Sequence, residues 1–175
     1  MGIMLRMAAL LLFAASPAWS QDVLPDPDPI AADSPAVPEV PADPVAAWEA
    51  DRTTILDAAE VDLEAFEYLA RPLVVFADNP RQPQVAEQLR LIEADLNTLA
   101  LRDVVVIVDT DPDARSAVRQ TLRPRGFGLV LVDKDGRVTL RRPAPLSVRE
   151  IARAIDRTPI RQEELRNGRS STKAE

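Results

Sequence analysis

The chain has 175 residues, 28 acidic against 21 basic for a formal net charge of -7, and it contains neither cysteine nor histidine. That length suits one domain. The missing residue types exclude thiol redox chemistry, Ser-His-Asp triads, Cys-His pairs and zinc sites of the usual His and Cys kind, and the 5 glycines form no G-x-G-x-x-G or Walker loop.

Residues Met1 to Ser20 read as a secretory signal, with Arg6 in the positive n-region, an apolar run Met7 to Ala15 and the small-x-small site Ala18-Trp19-Ser20. A membrane anchor needs roughly 20 apolar residues, and this run breaks at Ser16-Pro17. The expectation is cleavage near Gln21 and an exported protein, periplasmic or secreted, with no membrane span afterwards. Residues 21–46 carry Pro25, Pro27, Pro29, Pro35, Pro38, Pro41 and Pro44 among Asp22, Asp26, Asp28, Asp33, Glu39 and Asp43, with no basic or aromatic residue. Such composition favours extended polyproline II and buries too little to offset the entropy of ordering, so a disordered acidic linker is expected.

The folded domain is expected over residues 47–162. Trp48 to Leu69 mixes helix formers with Ile55, Leu56, Val61, Leu63 and Phe66, which predicts one or two short helices. Leu73 to Ala77 is a continuous apolar run bounded by Pro72 and Asp78-Asn79-Pro80, the pattern of a strand buried on both faces. Val85, Leu89, Ile92, Leu96 and Leu99 then form one helical stripe with Pro83 near its start. Val104 to Val108 repeats the buried-strand pattern, and Asp111 with Pro112 predicts an N-cap and first turn for a helix over Asp113 to Leu122. Phe127 to Val132 and Val138 to Leu140 read as a hairpin across Asp133-Lys134-Asp135-Gly136. Ser147-Val148-Arg149-Glu150 is a capping box opening a helix with stripe Val148, Ile151 and Ile155, stopped by Pro159. Beyond it, residues 163–175 read as a disordered basic tail; from Arg137 onward ten basic residues face five acidic ones.

Strand, helix, strand, helix, hairpin, helix gives an α/β fold with a mixed central sheet of about four strands and helices on both faces. That order is the layout of the thioredoxin core, and Val106-Ile107-Val108-Asp109-Thr110-Asp111-Pro112 with Gly126 to Gly136 resembles its third-strand to hairpin segment. Arg71 to Ala77, Arg102 to Val106, Leu131 to Gly136 and Ile155 to Arg161 more narrowly resemble an uncharacterised family of secreted bacterial domains of unknown function. That family is related to thioredoxin-like or peroxiredoxin-like modules also found in animal extracellular matrix proteins. The resemblance implies a fold and a compartment and carries no activity. Where a thioredoxin places its C-x-x-C pair this chain reads Asp78-Asn79-Pro80-Arg81-Gln82-Pro83, and the position of the family's cis-proline falls on Phe127, with Pro124 three residues early. No catalytic residue transfers, and no cofactor is expected.

The remaining candidates are polar groups. Asp109, Asp111 and Asp113 alternate like the start of a calcium loop, but Ala114 and Gln120 stand where glycine and glutamate are required, so a capped turn is the stronger reading. Asp78, Asn79, Arg81 and Phe127 mark a possible interaction edge at the carboxyl ends of the strands, where open α/β sheets tend to bind ligands. Arg149, Arg153 and Arg157, spaced four apart, share a helix face and with Arg141-Arg142 offer contact to anions. Basic stripes without interleaved aromatics lack the stacking platform that nucleic acid requires. The expectation is a non-catalytic binding domain whose partner is an unknown protein or an anionic envelope component, against the alternatives of a cysteine-independent metal-dependent enzyme or a structural envelope protein.

Overall fold

Two apolar runs form the centre of the sheet. In the computed structural model, which describes residues 43–172, strand β2 (Arg71–Phe76) lies parallel to β3 (Val104–Asp109), in register from Arg71 opposite Val104 to Phe76 opposite Asp109. On the other side of β2 runs β4 (Gly128–Val132), antiparallel, and β5 (Val138–Arg142) pairs antiparallel with β4 at the sheet's edge. The short strand β1 (Ile55–Asp57) completes the order β1-β3-β2-β4-β5 by pairing parallel with β3. This is the thioredoxin-like mixed sheet expected from the sequence. The expected signal, the linker as far as residue 42 and residues 173–175 lie outside the described span.

Alternation along the strands sorts side chains onto two cores. Leu73, Val75, Val104, Val106, Leu129 and Leu131 face helices α2 (Pro83–Glu93), α3 (Leu96–Ala100) and α5 (Val148–Ile155), which contribute Val85, Ile92, Leu99, Ile151 and Ile155. Val74, Phe76, Val105, Ile107, Val130 and Val132 face α1 (Pro44–Ala50), a 3-10 turn at Glu64–Phe66 and α4 (Ala117–Leu122), which contribute Trp48, Phe66, Val118 and Leu122. Both faces of β2 and β3 are therefore covered, and that is why their sequences are continuous rather than alternating apolar runs. The Asp133–Gly136 turn closes on itself through Gly136 N–H to Asp133 O at 3.0 Å, with Gly136 at a φ of 76°. The capping box of α5 is complete, Ser147 and Glu150 each accepting from the other's backbone N–H.

Four expectations are corrected. The segment after Trp48 holds β1 as well as helical turns, adding a fifth strand to the sheet of about four; three residues are too few to show a period, and only the free edge of β3 makes them a strand. The single long helix breaks at Asp95, whose extended φ of -152° separates α2 from α3, although the apolar stripe continues across the break. Helix α4 starts at Ser116, not Asp111. Asp111 holds a local turn, its side chain accepting from Asp113 N–H and Ala114 N–H, and Arg115 at a φ of 49° interrupts the helical path. Order also extends beyond both expected limits: Asp43 caps α1 within the expected linker, and residues 163–172 of the expected tail belong to α6 (Pro159–Thr172). Pro159 stops α5 and opens α6, because proline lacks only an amide that a first turn leaves unpaired.

What fixes α6 is a buried arginine. Arg71, the first residue of β2, is fully buried, and its guanidinium donates to Asp133 Oδ1 at 2.8 Å, Arg102 O at 2.9 Å and Glu164 Oε1 at 2.9 Å. Glu164 also receives Lys134 Nζ and Arg161 Nη1, each at 3.0 Å, while Lys134 reaches Asp103 Oδ2 at 2.8 Å. Partial burial pushes the Glu164 carboxyl up, but hydrogen bonds from Arg71, Arg161 and Lys134 outweigh it and hold the group down at about 2. One helix is thus bound to the sheet through a charge that β2 must bury.

A carboxyl held below its ordinary 4.5 stabilises the fold fully above that pH and loses the contribution as pH falls toward about 2. Glu164→Gln is expected to cost about 1–2 kcal/mol at pH 7, solvent screening at this partly exposed pair keeping it small. The gap from wild type closes between pH 4.5 and about 2, which urea unfolding at stepped pH measures. Trp48, fully buried, edge-on to Phe66 and donating to Val104 O at 3.3 Å, anchors α1. Trp48→Ala is expected to lower stability by about 3–5 kcal/mol, seen as a lower urea midpoint at unchanged slope.

Candidate functional site

At the carboxyl ends of β2 and β3 the chain leaves the sheet through Asp78-Asn79-Pro80-Arg81 and Asp109-Thr110-Asp111. Helix α4 sends Arg119 back into that gap. Its Nε and Nη2 donate to Asp109 Oδ1 at 2.9 and 2.6 Å, and Nη2 also reaches Ala77 O at 2.7 Å. The guanidinium carbon sits 5.5 Å from the centre of the Phe76 ring, and Nη1 lies 3.6 Å from Asp78 Oδ1. Ser116 Oγ donates to the other Asp109 oxygen at 2.6 Å while accepting the N–H of Arg119 as the cap of α4.

Asp109, Asp111 and Asp113 are not brought together here. Asp109 is buried with both oxygens engaged, Asp111 is turned to its own backbone, and Asp113 points to solvent; among the described residues no three acidic groups converge on one point. Of the expected interaction edge, Asn79 Oδ1 accepts from Arg81 N–H at 2.8 Å and so shapes its own turn, and Asp78 is half-exposed beside Arg119 and the Gly126 loop. Phe127 is largely buried and lies in the wall of a neighbouring cleft.

That cleft, of about 400 Å³, opens between the end of α4 and the β4–β5 hairpin, and is lined by Arg123, Pro124, Arg125, Phe127, Gly128, Val130, Arg141, Arg142 and Pro143. Arg123 is the left-handed cap of α4, so the chain turns there and delivers Arg125 to one wall. Strand pairing delivers the other wall, with Arg141 opposite Val130 and Arg142 opposite Leu129. Arg141 Nη1 donates to Leu122 O at 3.0 Å, which steadies it over the helix end. No acidic residue lines the cleft, and none of the four guanidiniums forms a salt bridge among the described residues. Guanidinium is a weakly hydrated planar fork that matches carboxylate and phosphate oxygens two at a time.

A second, shallower cleft of about 620 Å³ lies against α5 and takes in Leu140, Arg142, Glu150, Arg153, Arg157 and Thr158. Of the expected anion-contacting face, Arg153 and Arg157 border it; Arg149 is exposed outside it. Arg142 belongs to both clefts. The sequence reading missed Arg123 and Arg125, which carry no periodic signal and join Arg141 and Arg142 only through strand pairing. It also missed Arg119 and Arg71, although a charge opening an otherwise apolar strand already demands a buried partner.

Residues 62–164, more than half of the chain, match the family described as Domain of unknown function (DUF4174), and the chain belongs to that family. No curated protein matches it. Among solved structures it is similar to a reduced 2-Cys peroxiredoxin of Plasmodium vivax, at 16% identity over 59% of this chain and 85% of that one with a TM-score of 0.48. A thioredoxin peroxidase I of Plasmodium yoelii is similar at 16% identity over 55% and 76%, with a TM-score of 0.46. The chain has no cysteine, so peroxiredoxin-type thiol catalysis has no nucleophile here.

Removing Arg119 leaves the Asp109 carboxylate buried without a counter-charge. Arg119→Met is expected to destabilise by about 3–5 kcal/mol, and Asp109→Asn in the same chain to recover part of that loss. Urea unfolding of the two single variants and the double variant measures the coupling.

Proposed function

We propose that this member of the DUF4174 family is a non-thiol binding domain that holds an anionic group of its partner in the arginine-rimmed cleft between α4 and the β4–β5 hairpin. The observation that carries this reading is the cleft itself: Arg123, Arg125, Arg141 and Arg142 line it together with Phe127, Val130 and two prolines, with no acidic residue among them, on a chain whose net charge is -7. Like charges lining one cleft without an acidic neighbour favour an anionic ligand there. Aromatic and aliphatic side chains beneath the rim add apolar contact, a combination suited to a carboxylate- or phosphate-bearing ligand rather than to a free ion. The partner is read as an acidic protein or an anionic envelope component. Export is part of the proposal and rests on the Met1 to Ser20 signal pattern and the acidic proline-rich segment after it.

Calorimetric titration of the folded chain with tripolyphosphate, an inorganic polyanion, tests the site. Saturable binding is expected, weakened by salt as an exposed electrostatic contact must be and weakened about tenfold or more in the Arg125→Glu, Arg141→Glu double variant, one tenfold step being about 1.4 kcal/mol. Absence of saturable binding, or binding indifferent to that charge reversal, overturns the reading.

A further inference from the structure

The two basic clefts are not independent, because they flank the same strand. β5 is the outermost strand on its side of the sheet, and no strand pairs with its outer edge among the described residues. Its last two residues point to opposite faces: Arg141 lies on the Val130 side, toward Arg123 and Arg125, and Arg142 lies on the Leu129 side, toward Arg153 and Arg157. The acidic residue beside that second group, Glu150, accepts from Ser147 Oγ at 2.7 Å and Ser147 N–H at 3.1 Å, which together with the nearby charge of Arg153 hold its carboxyl below the ordinary range. An open backbone edge therefore runs between two rows of guanidiniums, one on each face of the sheet.

We infer that β5 receives an extended acidic peptide segment of a partner as a sixth strand, with successive carboxylates falling alternately to the arginines on the two faces. The inference rests on the anion-binding reading above and names the partner's chemistry. Main-chain hydrogen bonding to an exposed edge supplies affinity in such an addition, and pockets for alternate side chains supply selectivity. Side chains of an added strand alternate between faces as those of β5 do, so a run of consecutive aspartates or glutamates meets both rows, whereas a compact anion meets one. Nucleic acid fits less well: Phe127 is largely buried, and no other aromatic residue borders either cleft for bases to stack upon. A second copy of β5 would bring its own arginines to the same edge, and charged edge residues of this kind oppose sheet-to-sheet association.

The test uses the folded chain and three probes: a blocked octaglutamate peptide, the same peptide N-methylated at alternate residues, and tripolyphosphate. Octaglutamate is expected to bind and to slow amide hydrogen exchange within Val138–Arg142, and N-methylation to weaken it about tenfold or more by removing backbone donors. Tripolyphosphate is expected to bind without that protection. Arg142→Glu with Arg153→Glu, both on the exposed surface, is expected to weaken octaglutamate more than tripolyphosphate. If the N-methylated peptide binds as tightly as its parent, strand addition is wrong while the anion site stands. If none of the three probes binds, the anion reading falls and this inference with it. Protection of β5 that grows with protein concentration in the absence of peptide assigns the edge to a second copy of the chain and overturns the proposal.

Discussion

Burial of β2 and β3 on both faces is the constraint from which the rest of the structure follows. A charged group within those strands would have to leave water without a partner, and the penalty exceeds what a small domain can offset. The strands accept only apolar residues along their length, and charge is pushed to their ends. There it is paired: Arg71 with Asp133 and Glu164, far along the chain, at one end, and Asp109 with Arg119 of the next helix, Ser116 adding a hydrogen bond, at the other. These pairs act as registration points. Arg71 determines where the last helix lies, and Arg119 determines how α4 sits over the outgoing loops.

The Asp109–Arg119 pair has a second consequence. The carboxyl ends of parallel strands are where α/β sheets most often place their chemistry, and here a guanidinium bonded to Ala77 O and to the Asp109 carboxylate fills that position. Along the hairpin edge, by contrast, Arg123, Arg125, Arg141 and Arg142 line a cleft that holds no carboxylate. The ends of the sheet carry paired charges, and the hairpin edge carries arginines without carboxylates.

How much of this was legible varied with the physical origin of each feature. The apolar runs at Leu73 to Ala77 and Val104 to Val108, the Asp-Gly turn and the Ser147–Glu150 cap are local patterns with local causes, and they fall where the residues placed them. Ile55-Leu56-Asp57 carries too short a pattern to declare a strand, and Asp111 offers its carboxylate to a turn as readily as to a helix. The arginine cleft was half legible: Arg141-Arg142 stood out as a basic pair, while Arg123 and Arg125 read as unremarkable loop residues.

Residues adjacent in sequence determined the fold class, the order of most elements and the absence of thiol and imidazole chemistry, because periodicity, turn chemistry and composition need no knowledge of distant partners. Only the tertiary structure decided that α6 is bound by Glu164, that the acidic trio does not converge and that four arginines from two segments share one cleft. Each of these depends on which strands pair and in what register, and a one-residue slip of β5 would send Arg141 and Arg142 to the opposite faces.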